Sequence, residues 1–183
     1  MNIYKPILVI FILILSGFSA VAQNHWQARF RPGVHFPIGQ YQGNEVNTGF
    51  GFEVNLAYIV LPYVSAYGGW EWRLFKTADF EEAGAVDLEE TGYSLGLRFI
   101  HPLKGQVSYL IGGGAVYKHL EIEQQDNTRV GDSGHKLGWQ AEAGFSIHLG
   151  NAFYLQPGLH YQSVSLEDKF NYFSLGMALS KTF

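Results

Sequence analysis

Seven charged residues, Arg29, Arg31, Glu53, Glu71, Arg73, Arg98 and Glu142, stand in stretches where every second position is apolar, and all fall in the polar phase. Lys118 and Lys136 fall in that phase too. Guanidinium and carboxylate groups crowded away from water are costly unless paired, so these residue types on one face predict a network of ion pairs. Arg31 can reach Glu53 on the neighbouring stretch, and Arg73 lies two positions from Glu71. Such a network can fill a bore as a plug, or act as an ion gate if partners exchange. The plug is the simpler expectation.

Other chemistry is thinly represented. The seven histidines lack zinc spacings such as His-x-x-x-His, and no metal or cofactor is expected. Glu81, Glu82, Asp87, Glu89 and Glu90 form an acidic run, which reads as a solvated face. Residues 126–134 scatter oxygen ligands without the spacing of an EF-hand. His119 has no serine and acid beside it in a catalytic pattern, so no enzyme is expected. A net charge of −4 argues against nucleic acid as a partner.

The elements that must hold the charges are strands. In KLGWQAEAGFSIHLG, residues 136–150, Leu137, Trp139, Ala141, Ala143, Phe145 and Ile147 alternate with polar residues and glycine. Period-two alternation marks a strand with two opposite faces. Eight stretches carry it, at 26–38, 49–58, 64–74, 92–99, 107–117, 136–150, 153–162 and 172–180. Short connections alternate with longer polar ones at 39–47, 77–90, 121–134 and 164–169. The pattern predicts an all-β meander with both chain ends on the short-turn side. Pro32 and Pro157 fall inside strands, where a bulge or local break is expected.

Bulk decides which face is wet. The apolar phase holds all four tryptophans and much of the phenylalanine, while many of the 22 glycines lie in the polar phase. An eight-stranded barrel has an interior only wide enough for its own side chains. Indole rings would overfill it, so the oily face points outward into lipid. A ten-residue strand tilted near 45° rises about 23 Å, close to the ~25 Å apolar band of membrane barrels. The expected fold is therefore a closed eight-stranded antiparallel up-and-down transmembrane β-barrel, and the main rival is a lipocalin-like soluble carrier with the tryptophans inside. Trp26 and Phe153 at one rim, with Trp72, Trp139, Tyr93 and Tyr117 at the other, suit aromatic girdles.

Residues 1–22 read as a secretory signal: Lys5 gives it a positive n-region, ILVIFILIL forms its apolar centre, and Ala20-Val21-Ala22 suits cleavage. Residues 23–183 would then form the barrel domain. With no cysteine, a lipid anchor and disulfides are excluded.

From about Trp26 to Phe183 the chain resembles the small eight-stranded outer-membrane β-barrel family, which includes OmpA transmembrane-domain-like and OmpX-like proteins. The C-terminal NYFSLGMALSKTF carries the most specific likeness, with Gly176 and the terminal Phe183 resembling the signal read by the barrel-insertion machinery. Lys181 departs from the aromatic usual near that end. The resemblance implies an outer-membrane location, lipid as the surrounding partner, and the insertion machinery as a partner during assembly. It implies an integral structural or surface-interaction protein. Alternatives within the family are a narrow ion or solute pore and a lipid-modifying enzyme.

Overall fold

The computed structural model describes residues 25–41, 43–77, 86–124, 128–166 and 169–183. The expected signal segment at 1–22 and the acidic residues Glu81 and Glu82 lie outside the described residues. The strands are β1 (Trp26–Ile38), β2 (Gln40–Tyr41), β3 (Asn44–Glu45), β4 (Gly49–Leu61), β5 (Val64–Lys76), β6 (Val86–Lys104), β7 (Val107–Gln124), β8 (Arg129–Asp132), β9 (Lys136–Gly150), β10 (Phe153–Ser165) and β11 (Lys169–Thr182).

Eight of these form an antiparallel meander in the order β1-β4-β5-β6-β7-β9-β10-β11, and the pairing of β11 with β1 closes the ring. At the seam Trp26 N–H donates to Phe183 O at 3.1 Å, and Phe183 N–H donates to Trp26 O at 2.9 Å. Closure leaves no unpaired edge in hydrocarbon, where a lone backbone polar group is costly. Tight turns at Tyr63, Gly105 and Asn151-Ala152 join strands at the seam end, all with positive φ. The hairpin β2–β3 and the short strand β8 elaborate two connections at the opposite end.

The tryptophans face out. Leu95, Ile111, Trp139, Leu159 and Met177 are exposed around the wall, and Trp26 and Trp70 are exposed with them. Arg29, Arg31, Glu53, Glu71, Arg73, Arg98 and Glu142 are buried inside. Small residues make the room. Five glycines pair in sequence across five strands, Gly51 to Gly33 to Gly176 to Gly158 to Gly144. A Cβ at Gly176 would lie 2.8 Å from Pro32 O and 3.2 Å from Arg31 Cγ, so this glycine admits both the seam and an arginine stem.

Both prolines break a ladder without shifting it. The β1–β11 pairing runs from Phe30↔Leu179 to Gly33↔Gly176 in one register, with Arg31 and Pro32 unpaired on that side. Likewise β10–β9 passes from Leu155↔Ile147 to Gly158↔Gly144 across Pro157. Proline lacks the N–H that each gap needs. On their other sides Pro32 pairs with Phe52 and Pro157 with Met177, so the strands continue.

Two connections expected at 77–90 and 121–134 are shorter than that reading allowed, because β6 and β7 run to 19 and 18 residues. Their outer ends also reverse phase. In β6, Tyr93, Leu95 and Leu97 face outward, whereas Val86 and Leu88 turn their apolar groups inward beneath an outward Asp87 and Glu89. In β7, Tyr117 faces out, while Leu120 and Ile122 face in between Glu121 and Glu123. An apolar cluster of Tyr41, Phe75, Val86, Leu88, Leu120, Phe170 and their neighbours therefore fills the loop end of the bore. Where the surroundings change from lipid to water, the hydrophobic face changes sides. The strand does not end; its solvent does.

Candidate functional site

The interior polar residues form two joined ion-pair groups. In the turn-side group Glu142 takes Arg29 Nη1 at 2.8 Å and Arg98 Nε at 2.6 Å. Glu53 takes Arg31 Nη2 at 2.8 Å and approaches Arg29 at 3.8 Å, while His160 Nδ1 also contacts Arg31. Strand register explains the meeting, since Arg31 stands opposite Glu53 and His160 opposite Glu142.

In the loop-side group Glu71 holds Arg73 Nη2 and Lys118 Nζ, each at 2.5 Å. Glu90 holds Arg73 Nη1 at 2.9 Å and Lys118 Nζ at 3.2 Å, and it accepts the Tyr172 hydroxyl at 2.6 Å. Amides bridge the groups. Gln162 Nε2 donates to Glu71 at 2.9 Å and to Gln140 Oε1 at 2.6 Å, and Gln140 Nε2 donates to Tyr67 Oη at 2.7 Å. The Arg98 guanidinium lies 4.5 Å over the Tyr67 ring. Among the described residues, a polar lattice thus crosses the middle of the bore, with the apolar cluster above it.

All seven charged residues expected inside are brought together here. Lys118 joins them, whereas Lys136 has the inward phase but sits exposed at the loop-side end of β9, above the level where the bore shields it. In the sequence Glu90 belongs to an acidic run that reads as a solvated face, yet it is fully buried and pairs with Arg73 and Lys118. The signal was its phase, since Glu90 shares the parity of Gly92, Ser94, Gly96 and Arg98. His35, bonded to Ser174 Oγ at 2.6 Å, and Gln140, Gln162 and Tyr172 carry no charge pattern that would have marked them.

The aromatic rims are paired. On the seam side Trp26 packs edge-on to Tyr58 at 5.0 Å, and Lys181 Nζ lies 5.5 Å over Phe153, which gives that lysine a seat at the rim. On the loop side Trp139 meets Tyr161 at 5.1 Å, Tyr117 meets His135 at 4.9 Å, and Trp72 Nε1 donates to Glu89 at 2.7 Å. Tyr93 is exposed beside them.

Above that rim His119, Glu121 and Asp132 converge, with ligand atoms within 4.8 Å of one another. Sequence spacing concealed this group, which pairing of β7 with β8 assembles. Arg129 already bridges Glu121 and Asp132, so a cation occupies the carboxylates. The Gly134 N–H and His119 donate to Asp132 and hold its carboxyl below the usual range.

A closed ring of lipid-length strands, oily outside and ion-paired inside, defines a small membrane-spanning β-barrel. The chain belongs to the outer membrane protein beta-barrel domain family, whose model matches residues 10–180. It is an outer-membrane barrel protein. Its fold is similar to that of the Neisserial surface protein A, at 10% identity and a TM-score of 0.67, covering 88% of this chain and 98% of that one. It is also similar to the outer membrane protein OprG of Pseudomonas aeruginosa, at 11% identity and a TM-score of 0.54, over 86% and 96% of the two chains. The attachment invasion locus protein Ail of Yersinia pestis, solved with the heparin analogue sucrose octasulfate, shares 16% identity at a TM-score of 0.52, over 85% and 99%. No curated protein matches the sequence.

Proposed function

We propose that the protein is an integral surface element of the outer membrane, non-catalytic, with a sealed bore and its working surface on the loop side. The single observation that carries the reading is the double closure of the lumen. Glu71, Glu90, Arg73 and Lys118 interlock on the loop side, at about the level of Tyr93 and Tyr117, and Phe75, Leu88, Leu120 and Phe170 pack above them. A solute would have to part both layers. The pore reading needs an aqueous path that this packing opposes, and among the described residues nothing in the geometry favours the enzyme reading.

Planar-bilayer recording on refolded protein tests the proposal. The expected result is no stable conductance steps; steady open channels in the wild type would overturn it.

Assembly belongs to the same reading. The machinery that inserts barrels would recognise the last strand through Gly176 and Phe183, after removal of residues 1–22. Deleting Phe183 should lower the assembled fraction in cells while detergent refolding persists, and the mass of the mature protein should place cleavage near Ala22. An intact leader or undiminished assembly would count against it.

A further inference from the structure

Prolines inside a closed sheet leave carbonyls without donors, and the register says which. At the seam Trp26 and Phe183 exchange both backbone bonds, so Met177, six positions back along β11, also turns its N–H and C=O toward β1. Its partner there is Pro32, which falls between the pairs Phe30↔Leu179 and Gly33↔Gly176. Pro32 has no N–H to give, so that rung supplies no donor to the Met177 carbonyl. The same count holds at the second proline. His148 N–H donates to Gln106 O on the β7 side, so Phe145, three positions back, faces β10. Its partner is Pro157, between Leu155↔Ile147 and Gly158↔Gly144, and the Phe145 carbonyl is left bare in turn.

The two sites share one rung. Pro157 stands opposite Met177, so Phe145, Pro157, Met177 and Pro32 line up across four successive strands. The two bare carbonyls then lie two strand spacings apart, about 10 Å. The outer wall is dented over this rung by an open groove of about 740 Å³. Phe145, Leu159 and Met177 stand beside it, each about half exposed, with the smaller Ala143, Pro32 and Pro157 between them. Every residue that lines the groove is apolar or glycine, so no side chain there can donate to a carbonyl.

Depth decides what can fill it. The rung lies six residues above Trp26, about 14 Å up a strand tilted near 45°, close to the middle of the ~25 Å apolar band. Water is absent at that depth, and a backbone acceptor without a partner in hydrocarbon is costly. The missing donor must therefore arrive on an apolar molecule. The wall around the groove already meets acyl chains.

We propose that this groove seats a lipid acyl chain carrying a hydroxyl near its middle, the hydroxyl donating to the Met177 or Phe145 carbonyl. A headgroup donor stays at the interface and does not reach the rung. A plain chain fills the groove but leaves both carbonyls bare. The inference concerns the outer wall, so it goes beyond the surface role and holds whatever the loops bind.

Barrel refolded in detergent, with carbon-13 at the methionine and phenylalanine carbonyls, should be titrated with 12-hydroxystearate and separately with stearate. Met177 is the only methionine after Met1, so its carbonyl resonance is read directly. The hydroxylated chain should bind about fivefold more tightly than stearate, the ratio one net hydrogen bond supports. It should also move the Met177 or Phe145 resonance downfield to saturation, while stearate leaves both in place. Pro32→Ala with Pro157→Ala restores both N–H groups, so the two resonances should start downfield and the two fatty acids should bind alike. Ala143→Leu, which fills the groove from outside, should weaken both. The wild-type titration decides the matter alone if the double variant does not fold. Carbonyls already at hydrogen-bonded positions in the free wild type, equal affinities for the two chains, or an undiminished preference in the double variant would overturn the proposal, as would binding unaffected by Ala143→Leu.

Discussion

Glu71 matters for what its loss would strand. It is fully buried and neutralises Arg73 and Lys118 together with Glu90. Glu71→Gln keeps the shape but leaves two buried cations facing one carboxylate, and removing one partner of a buried pair costs about 3–5 kcal/mol. The urea midpoint of the refolded barrel should fall accordingly. Arg129→Ala, at an exposed and solvent-screened cluster, should leave that midpoint essentially where it is. Asp132, outside the spanning wall, makes a pH prediction with a definite sign. Its folded pKa is depressed, so its contribution is present above the unfolded pKa and is lost as pH falls through the folded one. The Asp132 carboxyl carbon should titrate by NMR below an ordinary aspartate. The Leu120 amide, which donates to the adjacent Ser133 Oγ, should exchange faster once that midpoint is passed. At this scale the sequence was readable wherever phase decided placement, as for Arg31 and Glu53. It was opaque for Glu90, because neighbouring acids made a buried ligand resemble a solvated loop.

The outer ends of β6 and β7 show why strands were legible and their limits were not. A two-residue period identifies a strand whose surroundings stay constant. At Tyr93 and Tyr117 the exterior passes from oil to water, and the apolar residues move to the other parity. Read with a fixed phase, VDLEE and LEIEQ resemble polar loop; read with the phase reversed, both are strand. The pairs Leu88↔Ile122 and Val86↔Gln124 show the ladder continuing through both. This outer segment has its own core, which implies its own stability. Leu88→Ala and Leu120→Ala each empty a fully buried site, at about 2–5 kcal/mol. The damage should be local. Limited proteolysis should cut the loop side of either variant sooner than the wild type, while the boiled and unboiled forms still migrate differently on a gel. Loss of that mobility difference would mean that the outer core and the membrane band fold as one unit.

For the molecule as a whole, the phase reversal fixes where the bilayer ends. Outward positions along β6 pass from Leu97 and Leu95 through Tyr93 to Glu89 and Asp87 within one continuous strand. The same ruler reappears across the ladder in β7, where Ile111 and Tyr117 give way to Glu121 and Glu123. If hydrocarbon stops near Tyr93 and Tyr117, one substitution should change its cost along the strand with nothing else altered. Leu95 is 68% exposed, so arginine there meets lipid rather than a crowded core. Leu95→Arg should lower the urea midpoint in lipid vesicles by about 2–4 kcal/mol, while Glu89→Arg should lie near the ~0–1 kcal/mol found close to the interface. Glu89→Arg also loses the Trp72 indole bond, so Asp87→Arg serves as the second outer position. The gradient separates this molecule from a soluble barrel, in which arginine at an exposed site costs little at any height. Equal costs at Leu95 and Asp87 would show that the oily band is not what the wall is built to meet.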